Sequence, residues 1–288
     1  MGKLLTLSRM FYRFVRDIYL HIWRRNNSAK GNVHLDSSFA KIKKIPFSAK
    51  KLWMRPSNSD VSRVNEYLSK IYFNKSYLHE ALKESKPTIL IDLGANIGLS
   101  TLATIEEFPS IKKVIAVEAE KQNYNVLEQN FRLWQNDFSN VNFSALHAVV
   151  TNSSGLSMVE CNSLASLTGR NTASGTFRYS VEKEGEALES VSSNLKTIAL
   201  CDLIGSISEE EKIIIKIDIE GGEEYLFSSN TDWVNRCLFM TLELHDKFHP
   251  EMMNSSENTF RLLSSGKFAV SASEDILHCY SKDNLSLV

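Results

Sequence analysis

The sequence lacks most features of membrane-spanning and disulfide-bonded proteins. Its 288 residues contain no uninterrupted apolar run of about 18, so we expect no transmembrane helix. Only four cysteines occur, and none forms a CxxC pair. This argues against a zinc knuckle or a disulfide framework and predicts a reducing, cytoplasmic location. Arginines interrupt every apolar segment near the N-terminus, so a signal peptide is not expected either.

Charge is unevenly distributed along the chain, although the formal net charge is only -1. Residues 1–55 carry 13 lysines and arginines against two acids, which leaves a net charge of -12 on the remaining residues. A basic arm joined to an acidic body indicates an anionic partner for the arm, such as a membrane surface or a nucleic acid.

The N-terminal segment is predicted to contain one amphipathic helix over residues 4–23. Its apolar stripe consists of Leu7, Phe11, Phe14, Ile18 and Ile22. We favour packing of this helix on its own domain or on a partner subunit, and the alternative is a peripheral membrane contact. Residues 26–60 are typical of a linker or a partly ordered cap. The predicted organisation is therefore an N-terminal segment at 1–60 and a main domain at 61–288.

The main domain alternates strands with helices after a helical cap at 61–86. Predicted strands are residues 88–93, 113–118, 141–150, 212–218, 238–244, 268–272 and 276–280, and the alternation resumes at 195–203. Such alternation implies parallel pairing through right-handed crossovers, hence an α/β doubly wound sheet. The polar stretch 151–194 interrupts the pattern and is predicted to be an insertion or lid.

A glycine-containing loop follows the first of these strands and predicts a cofactor site. It has the form Gly-x-x-x-Gly rather than the GxGxxG of dinucleotide sites, and Asp92 stands at the strand end. A carboxylate there favours the cationic amino and sulfonium groups of S-adenosylmethionine over an anionic pyrophosphate. The candidate cofactor-binding residues of this loop are Asp92, Gly94, Ala95, Asn96, Gly98 and Ser100.

A second acid ends the next strand. Glu118 can accept hydrogen bonds from the ribose hydroxyls of a nucleoside, a device shared by dinucleotide and S-adenosylmethionine sites. Ala119 follows it and completes the predicted cofactor contacts.

Charged residues also end two later strands. The predicted strand at 212–218 ends with Lys216, Asp218 and, just after it, Glu220. The predicted strand at 238–244 ends with Glu243 and is followed by His245. In open α/β sheets ligands bind at the carboxyl ends of strands, so we expect these side chains beside Asp92 and Glu118.

Together these motifs resemble the FkbM family of methyltransferases. The resemblance spans about Pro87 to His249 and rests on Asp92-Leu93-Gly94-Ala95-Asn96-Ile97-Gly98, Val117-Glu118, Lys216-Ile217-Asp218-Ile219-Glu220-Gly221-Gly222-Glu223 and Glu243-Leu244-His245. It implies a Rossmann-like class I methyltransferase fold, a mostly parallel seven-stranded sheet whose last strand is antiparallel. It also implies S-adenosylmethionine as cofactor and O-methylation of sugar, glycan or polyketide hydroxyls. Two positions depart from the family pattern: Ala119 stands where proline is frequent, and Cys201 stands within a usual Leu-Asp-Asp run.

Transfer to a hydroxyl benefits from a general base. The candidates are His245 and Asp218, with Lys216 or Glu220 orienting the acceptor. No metal site is expected, and Mg²⁺ at Asp218, Glu220 and Glu243 is the less favoured alternative.

Two other functions remain open from the residues alone. One is an NAD(P)-dependent oxidoreductase, which shares the strand–glycine–acid pattern. The other is a non-catalytic, membrane-tethered cofactor-binding protein. No nucleic-acid partner is expected, because the body is acidic and carries no Asn-Pro-Pro-aromatic motif.

Overall fold

The computed structural model describes most of the chain from residue 18 onward. It covers residues 18–27, 37–56, 58–69, 73, 76–152, 158–161, 178–181, 191–192, 196–219, 222–245, 259, 261–263, 266–273 and 276–285. The helices are α1 (18–27), α2 (Asn58–Ser69), α3 (Tyr77–Glu84), α4 (Leu99–Glu107), α5 (Lys121–Trp134), α6 (Leu200–Gly205) and α7 (Glu223–Ser228). The strands of the central sheet are β3 (Ile89–Leu93), β4 (Lys113–Glu118), β5 (Asn142–His147), β11 (Ile213–Ile217), β12 (Cys237–Glu243), β13 (Phe268–Ser273) and β14 (Ile276–Ser281).

The central sheet has seven strands in the order β13-β14-β12-β11-β3-β4-β5. The pairs from β12 through β5 are parallel, whereas β14 runs antiparallel to both of its neighbours. This confirms the predicted Rossmann-like class I methyltransferase fold. Because β3 lies between β4 and β11, the strand order reverses direction there, and a crevice forms at the carboxyl ends of these strands.

Alternating side chains of the sheet fill two separate hydrophobic clusters. In β3, Leu90 belongs to the cluster with α2, α4 and α5, whereas Ile89 and Ile91 belong to the cluster with α6 and α7. The sheet is therefore covered on both faces, which explains why its strands read as continuous apolar runs.

The N-terminal segment contains an ordered hairpin that packs on the domain. Strands β1 (Lys41–Lys44) and β2 (Lys51–Met54) pair antiparallel, and Leu52 is fully buried in the first cluster. The indole Nε1 of Trp134 donates to the carbonyl of Lys51 at 2.8 Å. The linker interpretation is therefore wrong for residues 41–54, because alternate apolar residues of a short basic strand suffice to bury one of its faces. A domain boundary at residue 60 stays a prediction.

The predicted helix over residues 4–23 is described only from residue 18 onward, where α1 continues to residue 27. Leu20 and Trp23 pack toward the domain, while Ile18 and Ile22 of the predicted stripe are exposed. Among the described residues, no helix combines the length and apolar character needed to cross a membrane.

Other elements differ from the predicted pattern in detail. The cap is two helices, α2 and α3. Where the alternation was predicted to resume at 195–203, the structure has β10 (Thr197–Ala199) followed directly by α6. Strand β10 pairs with β6 (Val149–Thr151), outside the central sheet. Within 151–194, β7 (Met158–Cys161) pairs with β8 (Arg178–Val181) and β9 (Val191–Ser192). Its function as a lid stays a prediction.

Candidate active site

The glycine loop after β3 passes unusually close to the end of β11. Gly94 has φ +73°, and a Cβ built on it would lie 1.7 Å from the carbonyl oxygen of Asp218. Gly98 has φ +93° and caps α4, and a Cβ there would lie 2.8 Å from a methyl carbon of Leu127. Both positions therefore require glycine, one for the approach of two strands and one for helix packing.

Glu118 lies at the end of β4, against this loop. One carboxylate oxygen accepts the backbone amide of Asn96 and the other accepts that of Glu120, both at 2.8 Å. Burial raises the pKa of Glu118 to about 7, although these two hydrogen bonds oppose the shift. Ala119, which follows, directs its carbonyl oxygen to Nε2 of His147 at 3.0 Å.

Asp92 is fully buried behind the loop rather than in the open crevice. Its Oδ2 accepts from the hydroxyls of Ser100 at 2.8 Å and Thr101 at 2.5 Å. Its Oδ1 has no hydrogen-bond partner and lies 3.5 Å from Nζ of Lys216. The carboxylate thus fixes the start of α4 and balances a buried ammonium.

Lys216 connects three of the predicted site residues. Its Nζ donates to the carbonyl of Gly94 at 2.8 Å and lies 3.1 Å from Oδ2 of Asp218. Burial alone would lower the pKa of this ammonium, but the charges of Asp218 and Asp92 raise it instead. For Asp218 burial is again outweighed, here by Lys216, His245 and Arg63, which lower its pKa to about 2. Asp218 is therefore an ionised carboxylate at every physiological pH.

His245 lies behind Asp218 and is almost completely buried. Its Nε2 lies 3.6 Å from Oδ1 of Asp218, and its Nδ1 lies 3.1 Å from Oε1 of Glu223. Glu223, at the start of α7, is itself fully buried. Both ring nitrogens of His245 thus face carboxylate oxygens, one of Asp218 and one of Glu223.

A cavity of about 160 Å³ opens between the loop, β11 and β12. Of the predicted residues, Gly94, Ala95, Asn96, Ser100, Lys216 and Asp218 line it. The other described residues of the predicted site lie next to the cavity but do not line it. They are Asp92, Gly98, Glu118, Ala119 and His245. Glu220 lies outside the described residues.

Helix α2 and strand β12 contribute further lining residues. Arg63, Glu66 and Thr241 were missed by the sequence patterns, whereas Glu243 was expected there. Burial raises the pKa of Glu66, which Arg63 opposes, and burial together with the charge of Asp218 raises that of Glu243. Glu243 was noticed as a strand-end acid, but nothing in the amphipathic pattern of α2 distinguishes Arg63 or Glu66 from solvent-facing charges.

Three side chains of the site could also hold a cation. Ligand atoms of Asp218, Glu243 and His245 lie within 4.8 Å of one another. The ammonium of Lys216 already neutralises part of the negative charge there.

Comparison with known proteins agrees with the geometry. A family model described as a methyltransferase FkbM domain matches residues 92–263. No curated protein sequence matches the chain. Among solved structures, an FkbM methyltransferase from Methylobacillus flagellatus KT is 13% identical, with a TM-score of 0.42 over 93% of this chain and 60% of that one. An O-methyltransferase from Bacillus cereus in complex with SAH is 12% identical, with a TM-score of 0.40 over 76% of this chain and 91% of that one.

Proposed function

Because the chain belongs to the FkbM family of S-adenosylmethionine-dependent methyltransferases, we propose that it methylates a hydroxyl of a sugar, glycan or polyketide-like acceptor. The observation that carries the proposal is the cavity in which Asp218, an ionised carboxylate, faces the glycine loop. A fixed negative charge at this position can bind and orient a hydroxyl donor.

The residues beside the loop fit the cofactor. The absence of a side chain at Gly94 lets the loop lie against the end of β11, and Glu118 ends the adjacent strand with two oxygens that accept from backbone amides. Each oxygen keeps a lone pair that can accept a ribose hydroxyl. S-adenosylmethionine supplies an electrophilic methyl group on a sulfonium when bound. We propose that Gly94, Ala95, Asn96 and Ser100 contact it, with Ala119 beside Glu118.

The polar lining supports an acceptor with several hydroxyl groups. Arg63, Glu66, Thr241 and Glu243 offer donors and acceptors around the part of the cavity away from the loop. A few placed polar groups of this kind fix the orientation of a small ligand. A sugar would use more of them than a largely apolar polyketide.

We propose that Asp218 aligns the acceptor hydroxyl and that His245 receives its proton. Asp218 is a weak base because its pKa is lowered to about 2. Nε2 of His245 lies 3.6 Å from Asp218, and Glu223 holds its ring from the other side. A neutral His245 would take up the hydroxyl proton, while bound S-adenosylmethionine would supply the methyl group to the hydroxyl oxygen, its carbon–sulfur bond breaking to leave S-adenosylhomocysteine. Lys216 keeps Asp218 ionised and in place.

The test is methyl transfer from labelled S-adenosylmethionine to a panel of glycans and polyketide alcohols. For a methylated acceptor, Asp218→Asn and His245→Gln should each lower kcat by about 100-fold or more while cofactor binding persists. Glu209→Gln, on an exposed side chain, is the matched control. Full activity of both site variants would refute the assigned residues, and loss of transfer with EDTA would instead support a cation at Asp218, Glu243 and His245.

The peripheral membrane contact through residues 4–23 belongs to the same proposal, because a lipid-linked glycan would be a suitable acceptor. Deletion of residues 1–25 should then reduce membrane association of the protein in cell fractions. Unchanged association would remove this part of the proposal.

A further inference from the structure

Exposed apolar side chains concentrate in the N-terminal part of the molecule. Of the eight large apolar side chains that are exposed among the described residues, six belong to residues 18–47, each 46% to 55% accessible. They are Ile18, Tyr19, Ile22, Phe39, Ile42 and Phe47. Single exposed apolar residues are ordinary, whereas a group in one region marks an interaction surface.

Four of these side chains form a continuous patch. Ile18 and Ile22 are one helical turn apart on α1, and Tyr19 lies beside them. The rings of Tyr19 and Phe47 are 5.2 Å apart, so the patch extends from α1 onto the turn between β1 and β2. We call Ile18, Tyr19, Ile22 and Phe47 the N-terminal apolar patch.

The opposite face of α1 is already packed on the domain. Leu20 and Asn27 are buried, and Trp23 contacts the first hydrophobic cluster. Nε of Arg24 donates to Oδ1 of Asn65 in α2 at 2.9 Å. Docking of α1 on its own domain therefore leaves the patch facing outward.

Positive charge is concentrated in the same part of the chain. Residues 18–27 and 37–56 contain eight lysines and arginines and no aspartate or glutamate. Five of the eight are exposed, namely Arg24, Arg25, Lys41, Lys44 and Lys51. A nucleic acid would use the cations but not the isoleucines, and a neutral apolar partner would use the isoleucines but not the cations.

We propose that the N-terminal apolar patch and the lysines of the β1–β2 hairpin form a docking surface for an anionic lipid bilayer. Isoleucine and aromatic side chains insert at the headgroup boundary, and the adjacent lysines and arginines contact lipid phosphates. This differs from a free amphipathic helix, because the surface is built from a helix and a hairpin that the domain holds in a fixed arrangement. None of the patch residues lines the cavity.

Vesicle flotation of the full chain tests this surface without cofactor or acceptor. Binding to vesicles of phosphatidylcholine with phosphatidylglycerol should exceed binding to phosphatidylcholine alone by about tenfold and weaken with added salt. The double variant Ile18→Ser/Ile22→Ser should lose about tenfold in partition. Its control, Tyr77→Ser/Val270→Ser, changes two exposed apolar residues elsewhere and should bind as the unaltered protein does.

A second pair of variants tests how much the lysines contribute to binding. Lys44→Gln/Lys51→Gln, which changes two exposed lysines paired across the hairpin, should weaken binding to anionic vesicles only, whereas Lys112→Gln/Lys282→Gln, on exposed lysines outside the surface, should not. Thermal unfolding of each variant verifies that it is folded. Failure of the folded, unaltered chain to bind anionic vesicles would overturn the proposal. So would equal losses in the control variants, or a dimer in solution that Ile18→Ser/Ile22→Ser dissociates.

Discussion

At the scale of single residues, burial makes Glu118 sensitive to pH. Its raised pKa of about 7 means that the free protein loses this negative charge just below neutrality. A protonated carboxyl can no longer accept hydrogen bonds from both ribose hydroxyls. Cofactor affinity should therefore fall with pH, by up to about tenfold per unit below 7. Calorimetric titration across this range tests it, and Glu118→Gln should show weaker but pH-independent binding.

The same titration affects stability with a definite sign. Glu118 has a higher pKa in the folded protein than its usual 4.5. Its protonated form therefore stabilises the fold fully below pH about 4.5, and this stabilisation is lost as the pH rises through about 7. Glu118→Gln should thus gain free energy of unfolding relative to the unaltered protein as pH rises from about 4.5 to about 7. Denaturation of both proteins at several pH values measures this, and a constant difference would contradict the burial argument.

Gly94 is the position at which an added methyl group should do most harm. The Cβ of Gly94→Ala would overlap the carbonyl of Asp218 in backbone with φ +73°. We expect a loss of at least about 2 kcal/mol in stability and loss of cofactor binding. Gly205→Ala is the control, because a Cβ there meets nothing within 4 Å. Equal behaviour of the two variants in denaturation would contradict the close approach of the loop and β11.

Residue-level prediction from sequence succeeded where side chains follow strand ends. Asp92, Glu118 and Asp218 could be placed on one edge because parallel strands end together. It failed for Glu223 and Arg63, since their approach to the site depends on how α7 and α2 pack. The sequence also could not predict that Asp92 is buried behind Ser100. An acidic residue at a strand end has the same sequence pattern whether its carboxylate faces a ligand or a side-chain hydroxyl.

At the scale of elements, the β1–β2 hairpin is the main departure from the predicted organisation. Leu52 is fully buried against the domain, whereas Ile42 on the paired strand is half exposed. Leu52→Ala should therefore cost about 2–4 kcal/mol of global stability and Ile42→Ala under about 1 kcal/mol. Chemical denaturation measures both. If Leu52→Ala leaves the midpoint unchanged, the hairpin is not part of the cooperative unit.

Strands of the central sheet were predictable because they are long apolar runs separated by helical patterns. The pattern at residues 195–203 did not specify a type of element, because an apolar run of that length fits a short strand and a short helix equally well. The hairpin at 41–54 was hidden by its lysines, because a short strand with so many charges does not look like a buried element, although Leu52 and Met54 are buried.

At the scale of the whole molecule, the strand order explains why distant sequence motifs form one site. The reversal at β3 brings the ends of β4, β11 and β12 around a single cavity. Family membership and this topology together define a methyltransferase. The acceptor, the catalytic residues and the lipid-facing surface are proposals.

The most direct test is calorimetric titration of the purified chain with S-adenosylmethionine and, separately, with NAD. The account predicts saturable binding of S-adenosylmethionine alone, weakened by about tenfold or more in Glu118→Ala. A well-folded protein that binds no S-adenosylmethionine, or that binds NAD instead, would contradict it.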